Sequence, residues 1–349
     1  MKNTNNTYSY EASIKQKYFK LIFGIAICLV ILVADILIGP AWLTISDTIS
    51  SLLRLPDVSA TTRVIVWTIR FPAALMALGV GAALGLSGAG MQTILDNPLA
   101  SPYTLGISAG AGFGAALAII TGASSLNIVG PYIVPVTAFS LAFLTSMVIY
   151  FIGRLKKLTP ETMILTGIAL SFLFQAMQSL LQYIASPEVL QSIVFWLFGS
   201  LSKTTWFTVL IMFGTLLVVL PFLMMDAWKL TALKLGDEKA AGLGVHVEKL
   251  REKTFFLVSV LTGVAVSFVG IIGFIGLVGP HIARILVGED QRFFIPLSAV
   301  SGAVILSSAS ILSKTIVPGA IIPLGIVTAI IGVPFFFSLI ITKKRGYFK

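Results

Sequence analysis

The chain has 349 residues, 57% of them hydrophobic and 11% charged, with a formal net charge of +10. Its mean hydropathy of +0.99 excludes a soluble globular domain and a disordered tail alike. The basic excess needs no nucleic-acid partner, because its placement along the chain follows membrane topology.

The first apolar run, residues 21–40, is long enough to span a bilayer. No small-residue cleavage site follows it, which predicts a retained helix rather than a removed leader. Its lone Cys28 allows no intrachain disulfide. Further runs lie at 71–94, 131–152, 162–184, 206–224, 254–269 and 321–341, and compact Gly-rich runs at 105–121, 271–287 and 295–313. Together they predict an all-α polytopic membrane protein of about ten helices. The expected organisation is a cytoplasmic tail at 1–20, one transmembrane domain at 21–342 and a second cytoplasmic tail at 343–349.

Between the second and third spans, 91-MQTILDNPLASPYTLGISAGAG-112 breaks the hydrophobic pattern. Irregular backbone at membrane depth is tolerated only where protein buries it. The stretch is therefore expected to be a turn, with Asn97 capping and Pro98 and Pro102 fixing it. Gly106, Gly110, Gly112 and Gly114 would let the third helix pack closely. The longest polar stretch, 226–253, is too short for a domain. It predicts two short helices, one at 237–243 with an acidic start and Gly242 and Gly244 at its end, the other at 246–253. The Gly-punctuated helices at 71–96 and 254–287 echo one another. Either an internal repeat or ordinary small-residue packing produces such an echo.

With an even number of spans, Lys2, Lys15, Lys17, Lys20, Arg154, Lys156, Lys157, the six basic residues of 229–253, Arg284, Arg292 and the 343–349 tail share one side. Of the 24 Lys and Arg residues only Arg54, Arg63, Arg70, Lys203 and Lys314 fall elsewhere. The positive-inside bias puts both termini in the cytoplasm.

Several chemistries are missing. There is no G-x-x-x-x-G-K-[ST] phosphate loop and no H-E-x-x-H, and the two histidines, His246 and His281, do not form a metal site by spacing. No Ser/His, Asp/Asp or His/Glu cluster suits an intramembrane enzyme. Asp35 lies near the end of the first span, Asp96 in the interrupted stretch and Glu161 at the start of the fifth span. None sits mid-run, which argues against an ion-coupled secondary carrier. The chain is expected to be neither an enzyme nor a cofactor protein, with its energy supplied from outside.

Four blocks carry a specific resemblance: 70-RFPAALMALGVGAALGLSGAGMQTILDNPLASPYTLGISAGAG-112, 236-GDEKAAGLGV-245, 273-GFIGLVGPHIARILVGED-290 and 323-PLGIVTAIIGVPFFF-337. In their order and spacing the chain resembles the FecCD family, the permease subunits of type II ABC importers for iron-siderophores, haem and cobalamin. The resemblance implies the type II importer permease fold in a bacterial cytoplasmic (inner) membrane. It also implies a second permease subunit, like or unlike, two cytoplasmic ATPase subunits that bind ATP and Mg, and an extracytoplasmic solute-binding protein. Iron(III)-siderophore is the commonest family cargo, with haem and cobalamin as alternatives.

The same resemblance assigns residues. Leu235, Gly236, Glu238, Ala240, Leu243 and Gly244 match the family's coupling pattern and would engage the ATPase. Arg70 matches the first arginine of the family's R-x-P-R docking motif; Ala73 replaces the second, with Arg63 as its candidate substitute. Lys314 falls near a later basic docking position, while the family's acidic residue is missing from 320-AIIPLG-325. The gate position reads 158-LTPET-162, placing Thr159, Pro160 and Glu161 there. The passage would run along helices five and ten. On the fifth span Gln175, Gln178 and Gln182 recur at i, i+3 and i+7, one helix face. Such groups suit either a passage for a polar chelate or hydrogen-bonded glue between helices. Pro187 then precedes 189-VLQSIVFWLFGS-200, a short outer gating helix in the family reading.

Overall fold

The computed structural model describes residues 4–342 apart from 42, 57, 123–129 and 157. Lys2, Lys157 and the 343–349 tail, with Lys343, Lys344, Arg345 and Lys349, lie outside the described residues. The first half of the chain contains α1 (Thr4–Leu37), α2 (Ile45–Leu52), α3 (Ala60–Val64), a π-helical segment (Ile65–Arg70), α4 (Phe71–Ile94), α5 (Ile107–Ile120), α6 (Gly130–Leu155) and α7 (Pro160–Ile184). The second half contains α8 (Pro187–Leu197), α9 (Trp206–Met225), α10 (Ala227–Leu233), α11 (Asp237–Gly242), α12 (Val247–Val269), α13 (Ile275–Val287), α14 (Gln291–Thr315) and α15 (Leu324–Thr342). No strand occurs among the described residues.

Among the described residues seven helices are long and apolar enough to cross a bilayer, and the shorter apolar helices Ile107–Ile120 and Ile275–Val287, with the first part of α15, Leu324–Phe335, occupy other runs marked by the sequence. Two boundaries differ from expectation. The predicted tail at 1–20 is largely helix, because α1 begins at Thr4 and runs into the first span without a break. The Gly-containing run at 295–313 is a full-length helix of 25 residues.

α4 is the axis of the bundle. It is apolar all round and almost wholly buried, as a helix surrounded by others must be. The reason lies in 81-GAALG-85, the small-xxx-small spacing that lets helix backbones approach. A Cβ on Gly81 would overlap the Gly302 carbonyl of α14, one on Gly85 the Ser298 carbonyl, and one on Gly88 the Gly276 carbonyl of α13. Two neighbouring helices, α13 and α14, thus touch α4 backbone to backbone, while on α12 it is the Val258 side chain that packs onto Gly90.

The turn after α4 follows its sequence. The Asn97 side chain accepts from Leu99 N at 2.9 Å, an Asx turn rather than a helix cap. Thr104 and Ser101 then lock the next turn reciprocally. Gly106 starts α5 with φ +77°, and a Cβ there would meet the Gly167 carbonyl of α7 at 2.8 Å. α12 ends in a similar break, at Gly270 and Phe274, both with positive φ, before the short α13. Each break delivers a short helix beside α4 or its neighbours.

The periphery is different. α1 lies along α14 with most of its large side chains facing outward, and α7 buries only Met163, Gly167 and Phe174. At one end of the bundle Trp67, Phe71 and Trp206 form an aromatic cluster, with Trp206 Nε1 donating to the Trp67 carbonyl at 2.9 Å. Such rings favour a membrane–water boundary. Arg54 stacks over Trp67 at 4.9 Å and Arg63 donates to the Leu55 carbonyl at 3.3 Å, so the minority basic residues gather here. The majority gather at the opposite end, where Lys20 donates to the Leu286 carbonyl at 2.7 Å and Lys17 lies 3.8 Å from Asp290.

Gly81→Leu should therefore destabilise the fold by at least about 1–3 kcal/mol through overpacking. Gly214→Leu, at an exposed α9 position with nothing within 4 Å, should not. Thermal melts in detergent followed by size-exclusion chromatography separate the two outcomes.

Candidate functional site

The crowded basic end carries the polar stretch 226–253, which folds as α10, a tight turn, α11 and the first turns of α12. The expected helix at 237–243 is α11. The separate helix expected at 246–253 is absent, because those residues continue without a break into the span of α12. The second short helix is instead α10, which starts directly after α9. Asp226 fixes that corner: Lys229 Nζ lies 2.8 Å and Lys253 Nζ 2.5 Å from its two carboxylate oxygens. Burial alone would push the Asp226 carboxyl up, but the two lysines outweigh it and hold it below the ordinary carboxylate value. Lys234 pairs with Asp96 of the α4–α5 turn, and Thr231 Oγ1 accepts from Gln291 N at 3.1 Å. The polar stretch is thereby tied to α4, α12 and α14.

α11 presents the residues the sequence singles out. Leu235 and Leu243 stand at its two ends, 57% and 54% exposed, and Glu238 is exposed between them. Ala240 points inward and is fully buried. Within this chain nothing lies within 4 Å of a Cβ built on Gly236 or Gly244. They serve conformation. Gly236 has φ +100° with ψ 155°, a region open essentially to glycine alone, and Gly244 has φ +83°. The two glycines bend the chain into and out of α11 and leave two apolar side chains unpartnered on a raised, charged ridge.

The gate residues occupy the start of α7. Thr159 is its N-cap, hydroxyl to hydroxyl with Thr162 at 2.9 Å; Pro160 is at the first helical position and Glu161 is exposed in the first turn. The preceding Leu158 is buried with φ +52°, its N–H donating back to the Gly153 carbonyl at 2.7 Å. Further along α7 the three glutamines divide. Gln175 is exposed, whereas Gln178 leans against α5, where a Cβ on Gly112 would lie 2.8 Å from its Oε1. Gln182 is half-buried.

At the other end, the residues expected to receive a partner separate. Arg63 is exposed. Arg70 and Lys314 turn inward instead, and both close the C-terminal end of α1. Arg70 is buried and donates to the carbonyls of Ile36, Leu37 and Ala41 at 3.2, 2.8 and 2.6 Å. The first two are carbonyls a helix end leaves without partners, and a cation there also opposes the helix dipole. Lys314 pairs at 2.8 Å with Asp35, which is fully buried and also accepts from Ser310 at 3.0 Å. Asp35, placed by the sequence near the end of a span without a partner, is half of this pair.

Sequence reasoning did not single out Arg251 or Asp237, which the structure brings together. The Arg251 guanidinium reaches the Asp237 carboxylate from both terminal nitrogens, at 2.9 and 3.2 Å. The available signal was an arginine one turn inside an apolar helix, which needs a partner in such surroundings.

Two outcomes follow. Asp35→Ala should cost about 3–5 kcal/mol by stranding a buried ammonium, and adding Lys314→Met should recover part of it; thermal melts of the three variants measure this. Asp226 and Asp290 are both held below the ordinary carboxylate value, Asp290 chiefly by Arg292. Their stabilisation is full above the unfolded-state value near about pH 4 and fades as the pH falls through the lower folded-state values. Acid titration of unfolding should show this loss, and Asp226→Asn should flatten it.

The geometry agrees with known proteins. The FecCD transport family matches residues 27–342. An Fe(3+)-citrate import system permease of Bacillus subtilis is 36% identical over 332 residues, 95% of this chain and 97% of that one. A molybdate import system permease of Haemophilus influenzae is 35% identical over 335 residues, 94% and 97% respectively. A solved inward-facing structure of a metal-chelate type ABC transporter superposes with a TM-score of 0.81 at 32% identity, covering 93% of this chain and 99% of that one. The chain belongs to the FecCD transport family and is a multi-pass permease of the ABC importer type.

Proposed function

We propose that this permease forms, with a second permease subunit, the passage of an ATP-driven importer for iron(III)-siderophore. Two ABC ATPase subunits bind and hydrolyse ATP with Mg, and a solute-binding protein delivers the cargo on the opposite face. The observation that carries the reading is the α11 ridge. Leu235 and Leu243 are apolar, exposed and held by Gly236 and Gly244, flanking an element whose first residue, Asp237, pairs with Arg251 of α12 and whose Ala240 is buried. A raised apolar pair rimmed by Glu238 and Lys239 suits a cleft on a soluble partner better than lipid or water. The basic majority on the same end supports a cytoplasmic position for it.

The passage reading rests on α7. A helix facing lipid would gain nothing from Gln175, an uncharged polar group exposed on the face of Phe172 and Ser179. A second subunit or a water-filled passage over that face supplies its partners, with Gln178, Gln182, Thr159, Pro160 and Glu161 along the same helix. For the binding protein, Arg63 is the remaining exposed candidate of the three expected basic residues. Arg70 and Lys314 support that face by fixing the end of α1.

The relatives are named for chemically different cargoes, Fe(3+)-citrate and molybdate, so cargo is the arm to test. The permease reconstituted in liposomes with its ATPase and binding protein should accumulate ferric siderophore in an ATP-dependent manner. Preference for haem, cobalamin or molybdate in the same assay would reassign the cargo and keep the importer. Uptake by the permease alone, driven by a proton or sodium gradient, would overturn the importer reading. Gly244→Leu should abolish ATPase copurification while the melting temperature of the membrane part is retained.

A further inference from the structure

Arg251 lies in the second turn of α12 and is 3% exposed. Its Nε donates to the carbonyl of Ile94, the last residue of α4, at 2.8 Å. Its Nη1 donates to the carbonyl of Leu158 at 3.3 Å, in the turn immediately before α7. Both terminal nitrogens reach Asp237, the first residue of α11. One planar guanidinium therefore joins the central helix, the turn leading into α7 and the exposed short helix. A lysine could not hold all three, since its ammonium lacks the fork geometry.

The three attachments differ in firmness. Ile94 belongs to α4, which backbone contacts with α13 and α14 hold. Leu158 sits in a left-handed conformation, its N–H tied to Gly153 of α6 and its carbonyl to Arg251. Asp237 is the exposed partner, with 55% of its side chain accessible. Among the described residues, the carboxylate paired with this buried cation is that of Asp237. Parting α11 from Arg251 would leave the guanidinium buried and uncompensated, a costly arrangement. A small displacement of α11 is therefore met more easily by a shift of Arg251 and of its longest attachment, the 3.3 Å bond to the Leu158 carbonyl, than by rupture of the pair.

We propose that Arg251 is a positioning residue that transmits displacement of α11 to the backbone of Leu158 and hence to the N-terminus of α7, with the Arg251–Asp237 pair as the link. The proposal rests on the reading of α11 as the ATPase-docking element. Leu158, rather than Thr159 or Glu161, is the point where the link meets the gate, and it meets it through backbone, independent of side-chain type.

The test uses the whole importer in liposomes. Asp237→Ala removes the link at an exposed position while leaving the carbonyl bonds of Arg251 in place. ATPase copurification should persist, transport per ATP hydrolysed should fall by about tenfold, and Asp237→Glu should restore it. In parallel, spin labels at Lys239 on α11 and Glu161 on α7 should both shift on ATP addition in the native protein. In Arg251→Lys, which keeps the charge but not the fork, only the Lys239 label should shift. A native transport ratio in Asp237→Ala, or joint label motion in Arg251→Lys, overturns the link. Loss of ATPase copurification in Asp237→Ala also overturns it, by making Asp237 part of the docking surface. Failure of the ATPase to bind the unmodified permease would instead sink the docking reading, so the two failures are distinguishable.

Discussion

The contact on which the rest of the molecule depends is the backbone approach of α4 to α14 and α13 through Gly81, Gly85, Gly88, Gly276 and Gly302. In lipid there is little hydrophobic gain from bringing helices together, so association rests on close packing and on polar groups placed between helices. Glycines supply the first. The second appears at the two ends of the bundle, where charges are used in pairs or against backbone carbonyls. Asp35 with Lys314, Arg70 with the end of α1, and Asp226 with its two lysines each fix one element to another.

This arrangement divides the chain into a dense centre and a loosely held rim. α4, α12 and α14 bury more than half of their most apolar windows, whereas α1 and α7 bury about a tenth. α1 compensates with two cations at its C-terminal end and Lys20 near its middle. α7 has no such ties along its length; it is held at its start by the Thr159 cap and the Leu158 turn, and near its middle by α5 at Gly167 and Gln178. Motion in such a body is directed to the element with the fewest attachments.

The family and the helical bundle were legible in the sequence because they depend on local pattern: apolar runs, the 81-GAALG-85 spacing, and the proline-broken turn after α4. The short helix α11, with Gly244 at its end, was legible for the same reason, although the purpose of Gly236 was not. Small size suggests close contact; only the backbone angles reveal that shape at the start of α11 is what it supplies. Charge pairing was illegible for a different reason. Asp35 and Lys314 are 279 positions apart, and nothing local to either predicts the other. Arg70 likewise reads as a surface arginine until the end of α1 is seen beneath it. Asp237 and Arg251 lie only 14 positions apart, yet they meet because α11 folds back across the start of α12, a path no periodicity encodes.

The crowding around α4 also constrains how such a protein diversifies. At Gly81, Gly85 and Gly302 any added carbon meets a carbonyl, so those positions hold one solution whatever the molecule carries. The outward face of α7 meets no such wall: Phe172, Leu173, Gln175 and Met177 are exposed in the single chain. Substitution there leaves the backbone scaffold untouched. A lineage changing what it admits through the membrane would thus record the change on α7, while the glycine column at the centre stays silent about cargo.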